Sequence, residues 1–163
     1  MSSQLRSPGR SRTIGHRIIA NGFVPLIPIL LWNVVLASRL PPEFSSDENL
    51  AQWHLILETI LRIAVFVFPL FLRMRLQTLV NKVGLALYLV GALLYFGAWL
   101  VVIFWPDSTL AVSPIVVLAP YYMPLVFFTG VGLMGNSRLY IGIVVLFTIV
   151  HTYHGLLSFG YVS

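Results

Sequence analysis

The stretch that decides the fold is Val83-Gly-Leu-Ala-Leu-Tyr-Leu-Val-Gly-Ala-Leu-Leu-Tyr-Phe-Gly-Ala-Trp-Leu-Val-Val-Ile-Phe104. It contains no charged residue, and it is longer than the roughly 20 helical residues that cross a hydrocarbon core about 30 Å thick. The whole chain is 58% hydrophobic and only 9% charged, whereas a soluble domain carries about 25% charged residues. Most of the chain must therefore be solvated by lipid, which excludes an ordinary soluble domain and a disordered chain.

Four further stretches are long and apolar enough to cross the membrane. The sequence predicts an all-α, polytopic bundle of five transmembrane helices at about 18–38, 53–72, 83–104, 114–134 and 139–160. These apolar runs are continuous rather than alternating, so they favour helices over the strands of a β-barrel. Residues 18–163 form one membrane domain, and residues 1–17 are expected to be a flexible basic cytoplasmic tail. The first run also has features of a secretory signal, but its length and its prolines favour a retained helix.

The connecting segments predict the orientation of the bundle. Eight of the ten basic residues fall in the N-terminal segment and in the loops after spans 2 and 4, where there is no acidic residue. The loops after spans 1 and 3 hold four of the five acidic residues and only Arg39 among the basic ones. The positive-inside rule then places the N-terminus in the cytoplasm and the C-terminus outside. We therefore expect a multi-pass protein of the plasma membrane or an inner membrane, with no nucleic-acid partner, since the short basic loops account for the +5 net charge.

A few polar residues lie inside predicted spans, where an ionisable group costs several kcal/mol and marks a functional site by default. Span 2 contains His54, Glu58 and Arg62 at spacings of four, so all three share one helix face. Span 5 contains His151 and His154, which also lie on one side of their helix. A purely structural ion pair between Glu58 and Arg62, and histidines that only hydrogen-bond within the bundle, are the alternatives.

The two polar sets lie at similar depths in the outer leaflet. Glu58 is about 8 Å and His154 about 9 Å from the outer ends of their helices, at a rise of ~1.5 Å per residue. Five more polar and aromatic residues fall in the same slab: Trp32, Asn33, Trp99, Tyr121 and Tyr122. If spans 2 and 5 are neighbours, these side chains form an aromatic-walled polar pocket that opens outward.

Such a pocket favours a lipid-soluble ligand with a polar head, of the quinone, sterol or isoprenoid type. The aromatic walls would hold the apolar body, while Glu58, Arg62 and the three histidines would orient the head. The main alternative is an accessory or structural membrane subunit, in a homo-oligomer or with another membrane protein, that has no ligand of its own. Whether the chain is an enzyme stays open. If it is, Glu58, His54 and His151 are the candidate catalytic residues, because a carboxylate beside histidines can move protons.

Two motifs resemble those of sterol-isomerase and sigma-2-receptor type membrane proteins. His54-Leu-Ile-Leu-Glu58 followed by Phe68-Pro69 resembles their second helix, and Ala119-Pro-Tyr-Tyr-Met-Pro124 resembles a late helix. The resemblance implies a membrane-embedded lipid isomerase that uses Glu58 and histidines. That family typically has four spans where five are predicted here, and Asn33 stands where an acidic residue is expected.

Cofactor chemistry is limited by composition. There are no cysteines, which excludes thiolate metal sites and covalently attached haem. No cofactor is therefore expected. The alternatives are a zinc ion held by His54, Glu58, His151 and His154, or a haem ligated by histidines from facing helices.

A last sequence feature concerns helix packing. Gly84, Gly91 and Ala98 follow one another at seven-residue spacing, which places three small residues on one face of span 3. Membrane helices associate through such faces because small residues let two backbones approach closely. We therefore expect a neighbouring helix to pack along this face.

Overall fold

The computed structural model describes residues 21–45 and 50–162, and the regular elements of this part of the chain are all helices. Three helices are long and apolar enough to cross a membrane: residues 52–71, 79–104 and 138–158. The six α-helices of the described residues are α1 (Leu26–Leu36), α2 (Gln52–Val67), α3 (Leu79–Phe104), α4 (Pro114–Val117), α5 (Ala119–Met134) and α6 (Arg138–Ser158). The predicted tail at 1–17 lies outside the described residues.

Two predicted spans differ from the observed helices. Within the described part of the first apolar run, α1 is the only α-helix; its 11 residues extend about 16 Å along the helix axis, and a 3-10 turn follows at Ala37–Arg39. Helix α1 begins after Pro25 because the preceding residues make other contacts: the Gly22 N–H donates to the Leu72 carbonyl at 2.9 Å, and the Asn21 amide donates to the Leu70 carbonyl. The fourth run is divided into α4 and α5 just before Pro120, which has no N–H to donate to a carbonyl four residues earlier.

The small-residue face of α3 packs against α5, as the sequence predicts for some neighbouring helix. A Cβ atom on Gly84 would come within 2.8 Å of the Gly130 carbonyl oxygen, and one on Gly130 within 2.5 Å of the Gly84 carbonyl. A Cβ atom on Gly91 would lie 2.8 Å from the backbone nitrogen of Phe127. These distances leave no room for a side chain at the seam, so glycine allows the two backbones to touch.

Two tyrosine hydroxyls of α3 attach α1 to the bundle. Tyr88 donates to the Pro25 carbonyl at 2.6 Å, and Tyr95 donates to Oδ1 of Asn33 at 2.5 Å. Both bonds bridge positions more than 60 residues apart. Because they join residues in ascending order on both helices, α1 and α3 run parallel.

Helix α2 is apolar outside and polar inside. Trp53, Ile56, Ile60 and Ile63 are all more than half exposed. The buried face includes His54 and Glu58 instead. A helix surrounded by water has the opposite arrangement, so the exposed apolar face of α2 is suited to lipid.

The buried face of α2 packs against α6. Near the end of α2 and the start of α6, the Tyr140 hydroxyl of α6 donates to the Val65 carbonyl of α2 at 2.9 Å. That carbonyl has lost its helical donor because the residue four positions later is Pro69. The chain then continues through a 3-10 turn at Phe68–Phe71. The two helices run antiparallel, which brings the start of α2 and the end of α6 to the same end of the bundle, here called the site end.

Candidate functional site

The side chain of Glu58 is the centre of the candidate site. The residue is 2% exposed and lies on the buried face of α2. Its Oε1 atom accepts from Arg62, one turn further along the same helix, and lies 2.8 Å from Nδ1 of His151. Its Oε2 atom lies 2.6 Å from Nδ1 of His154. One carboxylate therefore ties α2 to α6 through two histidines.

The protonation of the histidines follows from these contacts. An ionised carboxylate can only accept hydrogen bonds, so both rings donate from Nδ1 to Glu58. A neutral imidazole that is protonated at Nδ1 has its lone pair at Nε2. His151 and His154 thus combine a fixed orientation with a second nitrogen that can accept a proton or bind a metal. Arg62 supplies the balancing positive charge, and its side chain is about half exposed.

His54 lies behind the same carboxylate. Its Nε2 atom is 3.9 Å from Oε2 of Glu58, beyond hydrogen-bond length, and the residue is 3% exposed. Within the described residues this nitrogen has no hydrogen-bond partner. A buried nitrogen without a partner costs free energy, so a ligand, an ion or a small rotation of the ring would be stabilising there.

A cavity of about 270 Å³ opens beside this network. Every long helix of the described residues contributes to its wall. Its lining includes five of the residues predicted from the sequence, which are Asn33, Arg62, Trp99, Tyr121 and His151. The other walls are mainly aromatic and aliphatic, contributed in part by Phe66, Tyr95, Phe127, Phe128 and Phe147.

The remaining predicted residues do not line this cavity. Three of them surround or form the carboxylate that holds Arg62 and His151 in the cavity wall: Glu58, His54 and His154. Tyr122 is directed elsewhere, because its hydroxyl donates to the Ile115 carbonyl at 2.7 Å. Successive residues of an α-helix point about 100° apart, so the face that brings Tyr121 to the cavity turns Tyr122 away from it.

Sequence reasoning did not identify Tyr95 and Phe44, which both line the cavity. The spacing in the sequence could have identified Tyr95, since it follows Gly91 by four residues and so lies on the predicted packing face of span 3. Its hydroxyl holds Asn33 in the cavity wall. No sequence pattern could have identified Phe44, because it belongs to the 3-10 turn Pro42–Ser45 in the loop between α1 and α2.

No protein-family model, no characterised protein and no solved structure matches this chain.

The polar groups of the cavity are suited to an oxygen-bearing head group. Arg62 has five N–H donors in a planar fork, and only one Arg62 hydrogen bond, to Glu58, is observed within the described residues. His151 presents a ring whose orientation is fixed by Glu58 and by stacking on Phe147, with ring centroids 5.0 Å apart. Arg62 can donate to a carbonyl, hydroxyl or anionic group, and Nε2 of His151 can accept from a hydroxyl, so the cavity can orient an oxygen-bearing head group without reorganisation.

Three side chains behind the cavity have the geometry of a metal site. Ligand atoms of His54, Glu58 and His154 all lie within 4.8 Å of one another, and all three residues are buried. Two histidines and a carboxylate are a ligand set that zinc adopts. Ligand atoms about 2 Å from one ion lie at most ~4 Å apart, so the three side chains would have to move together by less than about 1 Å.

Proposed function

We propose that this chain is a multi-pass membrane protein whose cavity binds a lipid-soluble molecule with a polar head. One observation carries the proposal. Arg62 and His151, both tied to the buried Glu58, line a cavity of about 270 Å³ whose other walls are largely apolar. Small-molecule sites combine apolar walls with a few fixed polar groups in the same way.

The proposed orientation follows from the loop charges. Arg73, Arg75, Lys82 and Arg138 belong to the end of the bundle opposite the site end, whereas Glu43 and Asp107 belong to the site end. The positive-inside rule then directs the site end outward and keeps the N-terminus in the cytoplasm. In this orientation the cavity lies at the depth of the outer leaflet.

Glu58 has two roles in this proposal. It holds His151 and Arg62 in place, and it balances the charge of the guanidinium, so the cavity presents donors without a net positive charge. A quinone carbonyl, a sterol hydroxyl or an isoprenoid alcohol or phosphate would accept from Arg62 and contact His151. The aromatic side chains Phe127, Phe128 and Phe147 would surround the apolar body.

Mass spectrometry of the lipids that copurify with the protein tests this function. We expect one enriched species relative to the host membrane. Arg62→Met should lose it, because the guanidinium is removed and the apolar side-chain volume is largely kept. Arg39→Gln is the matched control, since Arg39 belongs to the same end of the bundle and does not line the cavity. A wild-type lipid profile identical to that of the membrane would overturn the proposal in favour of an accessory subunit.

A buried metal centre at His54, Glu58 and His154 is the second candidate, favoured by the close approach of their ligand atoms. After the protein is loaded with zinc chloride and desalted, a metal centre predicts about one zinc ion per chain. His54→Ala should lose the ion and His151→Ala should retain it, because His151 contacts the other carboxylate oxygen. No retained zinc, or equal retention in both variants, would exclude this candidate.

A further inference from the structure

A second cavity of about 310 Å³ lies next to the first, at the same end of the bundle. It is lined by the segments 41–44 and 106–117, by the last turn of α3, and by residues that directly follow α6. Its residues include Val102, Ala111, Val112, Val117 and Phe159. The proposed ligand site does not use this cavity.

Phe44 lines both cavities and is the residue that they share. Its ring packs edge-on against Phe159 at 4.9 Å between centroids and stacks with Tyr121 at 6.2 Å. The carbonyl of Phe44 lies 3.4 Å from the Tyr121 hydroxyl, which donates to it. The ring is thus placed as a partition between two spaces of similar size.

The two spaces differ in polarity. The first is lined by Arg62, His151 and Asn33, which provide charge and fixed hydrogen-bonding groups. Of the residues that line the second, only Glu43 is charged, and Glu43 is exposed. An oxygen-bearing head is therefore stabilised in the first cavity, and an apolar tail in the second.

We propose that the two cavities form one binding site for a ligand with a polar head and a flexible apolar tail, and that Phe44 determines how long a tail is accepted. This inference rests on the proposed function and adds the ligand's shape. The first cavity alone is slightly smaller than the 300–1,000 Å³ typical of small-molecule sites. Displacing the Phe44 ring joins it to the second cavity and roughly doubles the space.

Two quinones with the same head test the inference: ubiquinone-0, which has no tail, and decylubiquinone. Their dissociation constants are measured by quenching of tryptophan fluorescence, because Trp99 lines the first cavity. Each variant is compared with wild type in the same detergent, so that partitioning into micelles cancels. Phe44→Ala should bind decylubiquinone roughly tenfold more tightly, the change expected when about two more methylene groups are buried. Its affinity for ubiquinone-0 should change less than about twofold.

Two further variants test whether the Phe44 ring separates the two cavities or is only part of their lining. Phe44→Trp should weaken decylubiquinone binding and leave ubiquinone-0 unchanged. Ala111→Leu fills the second cavity at a residue that is 6% exposed, so in the Phe44→Ala background it should cancel the gain. Phe66→Ala is the control, because Phe66 lines the first cavity but not the second, and it should affect both quinones by a similar factor.

Three results overturn the inference. The first is an equal change for both quinones in Phe44→Ala, and the second is a gain that Ala111→Leu does not reduce. The third is the failure of wild-type protein to bind either quinone, since the inference requires a head-and-tail ligand. The lipid profile of the purified protein decides separately on the proposed function, so the two failures are distinguishable. Thermal unfolding of each variant identifies those that do not fold. If Phe44→Ala does not fold, the comparison of Phe44→Trp with wild type tests the inference instead.

Discussion

Oε2 of Glu58 lies 2.6 Å from Nδ1 of His154, although these residues are 96 positions apart in the chain. The contact joins the first turns of α2 to the last turns of α6. Together with the contact between Oε1 and His151 it makes one buried carboxylate the connection between two long apolar helices. Since these two contacts join the helices at the site end and also orient His151 in the cavity wall, Glu58 is expected to affect both stability and ligand binding.

Glu58→Ala should destabilise the folded protein. Hydrogen bonds to a charged group contribute about 1.5–3 kcal/mol each, and this variant removes the bonds to both His151 and His154. We expect a loss of about 3–5 kcal/mol, which agrees with the cost of breaking a buried ion pair from one side. The measurement is the free energy of unfolding in detergent. Glu43→Gln, at an exposed carboxylate of the same end, should change it by less than about 0.5 kcal/mol.

The double variant Glu58→Leu with Arg62→Leu tests whether the pair acts beyond the fold. Replacing both partners of a buried pair by apolar residues is often neutral for stability, so the double variant should be more stable than Glu58→Ala. It should nevertheless lose the enriched lipid, because the cavity no longer has a charged donor. A double variant that keeps the lipid would show that the pair is only structural.

Arg62 alone should separate binding from stability. Its side chain is about half exposed, and its loss leaves Glu58 with both histidine donors, one of which can bind a proton and restore the charge balance. Arg62→Met should therefore cost less free energy of unfolding than Glu58→Ala, while it abolishes lipid retention. Arg62→Lys should restore part of the retention, since the ammonium keeps the charge but not the planar fork. Loss of folding in Arg62→Met would place the residue in the structural core instead.

The sequence was informative about depth and much less about neighbours. Helix α3 ends at Phe104, where the apolar run predicts it, because the composition changes sharply at Trp105-Pro106-Asp107. Helical rise likewise placed Glu58 and His154 at matching heights. Nothing in that arithmetic requires α2 and α6 to touch, since the contact depends on which helices pack together. The position of Phe44 depends on a loop that has no periodicity, so no pattern predicted it.

Gly130 should be intolerant of even one added methyl group. A Cβ atom there would lie 2.5 Å from the Gly84 carbonyl oxygen and 2.6 Å from the Tyr88 nitrogen, and both of these are backbone atoms that cannot rotate away. Overpacking of this kind costs about 1–3 kcal/mol, so Gly130→Ala should lower the free energy of unfolding by that amount. Gly97→Ala is the matched control, because a Cβ atom at Gly97 meets nothing within 4 Å. That variant should be neutral or slightly stabilising, since alanine favours the helix. Equal effects of the two substitutions would contradict a close α3–α5 seam.

The hydrogen bond from Tyr140 to the Val65 carbonyl compensates for a proline. Within α2 that carbonyl would accept from the residue four positions later, but Pro69 has no N–H, and the Tyr140 hydroxyl donates at 2.9 Å instead. Tyr140→Phe should therefore cost about 1–3 kcal/mol, the penalty for a buried polar group left without its partner. In a Pro69→Ala background the new N–H can donate to Val65, so the same substitution should cost less. A double-mutant cycle on the free energy of unfolding measures the difference as a coupling between residues 69 and 140. Tyr88→Phe is the control: its hydroxyl also bonds a backbone carbonyl, that of Pro25, and its cost should be the same in both backgrounds. Additive effects of the Tyr140 and Pro69 substitutions would show that the hydroxyl does not replace the missing helical donor.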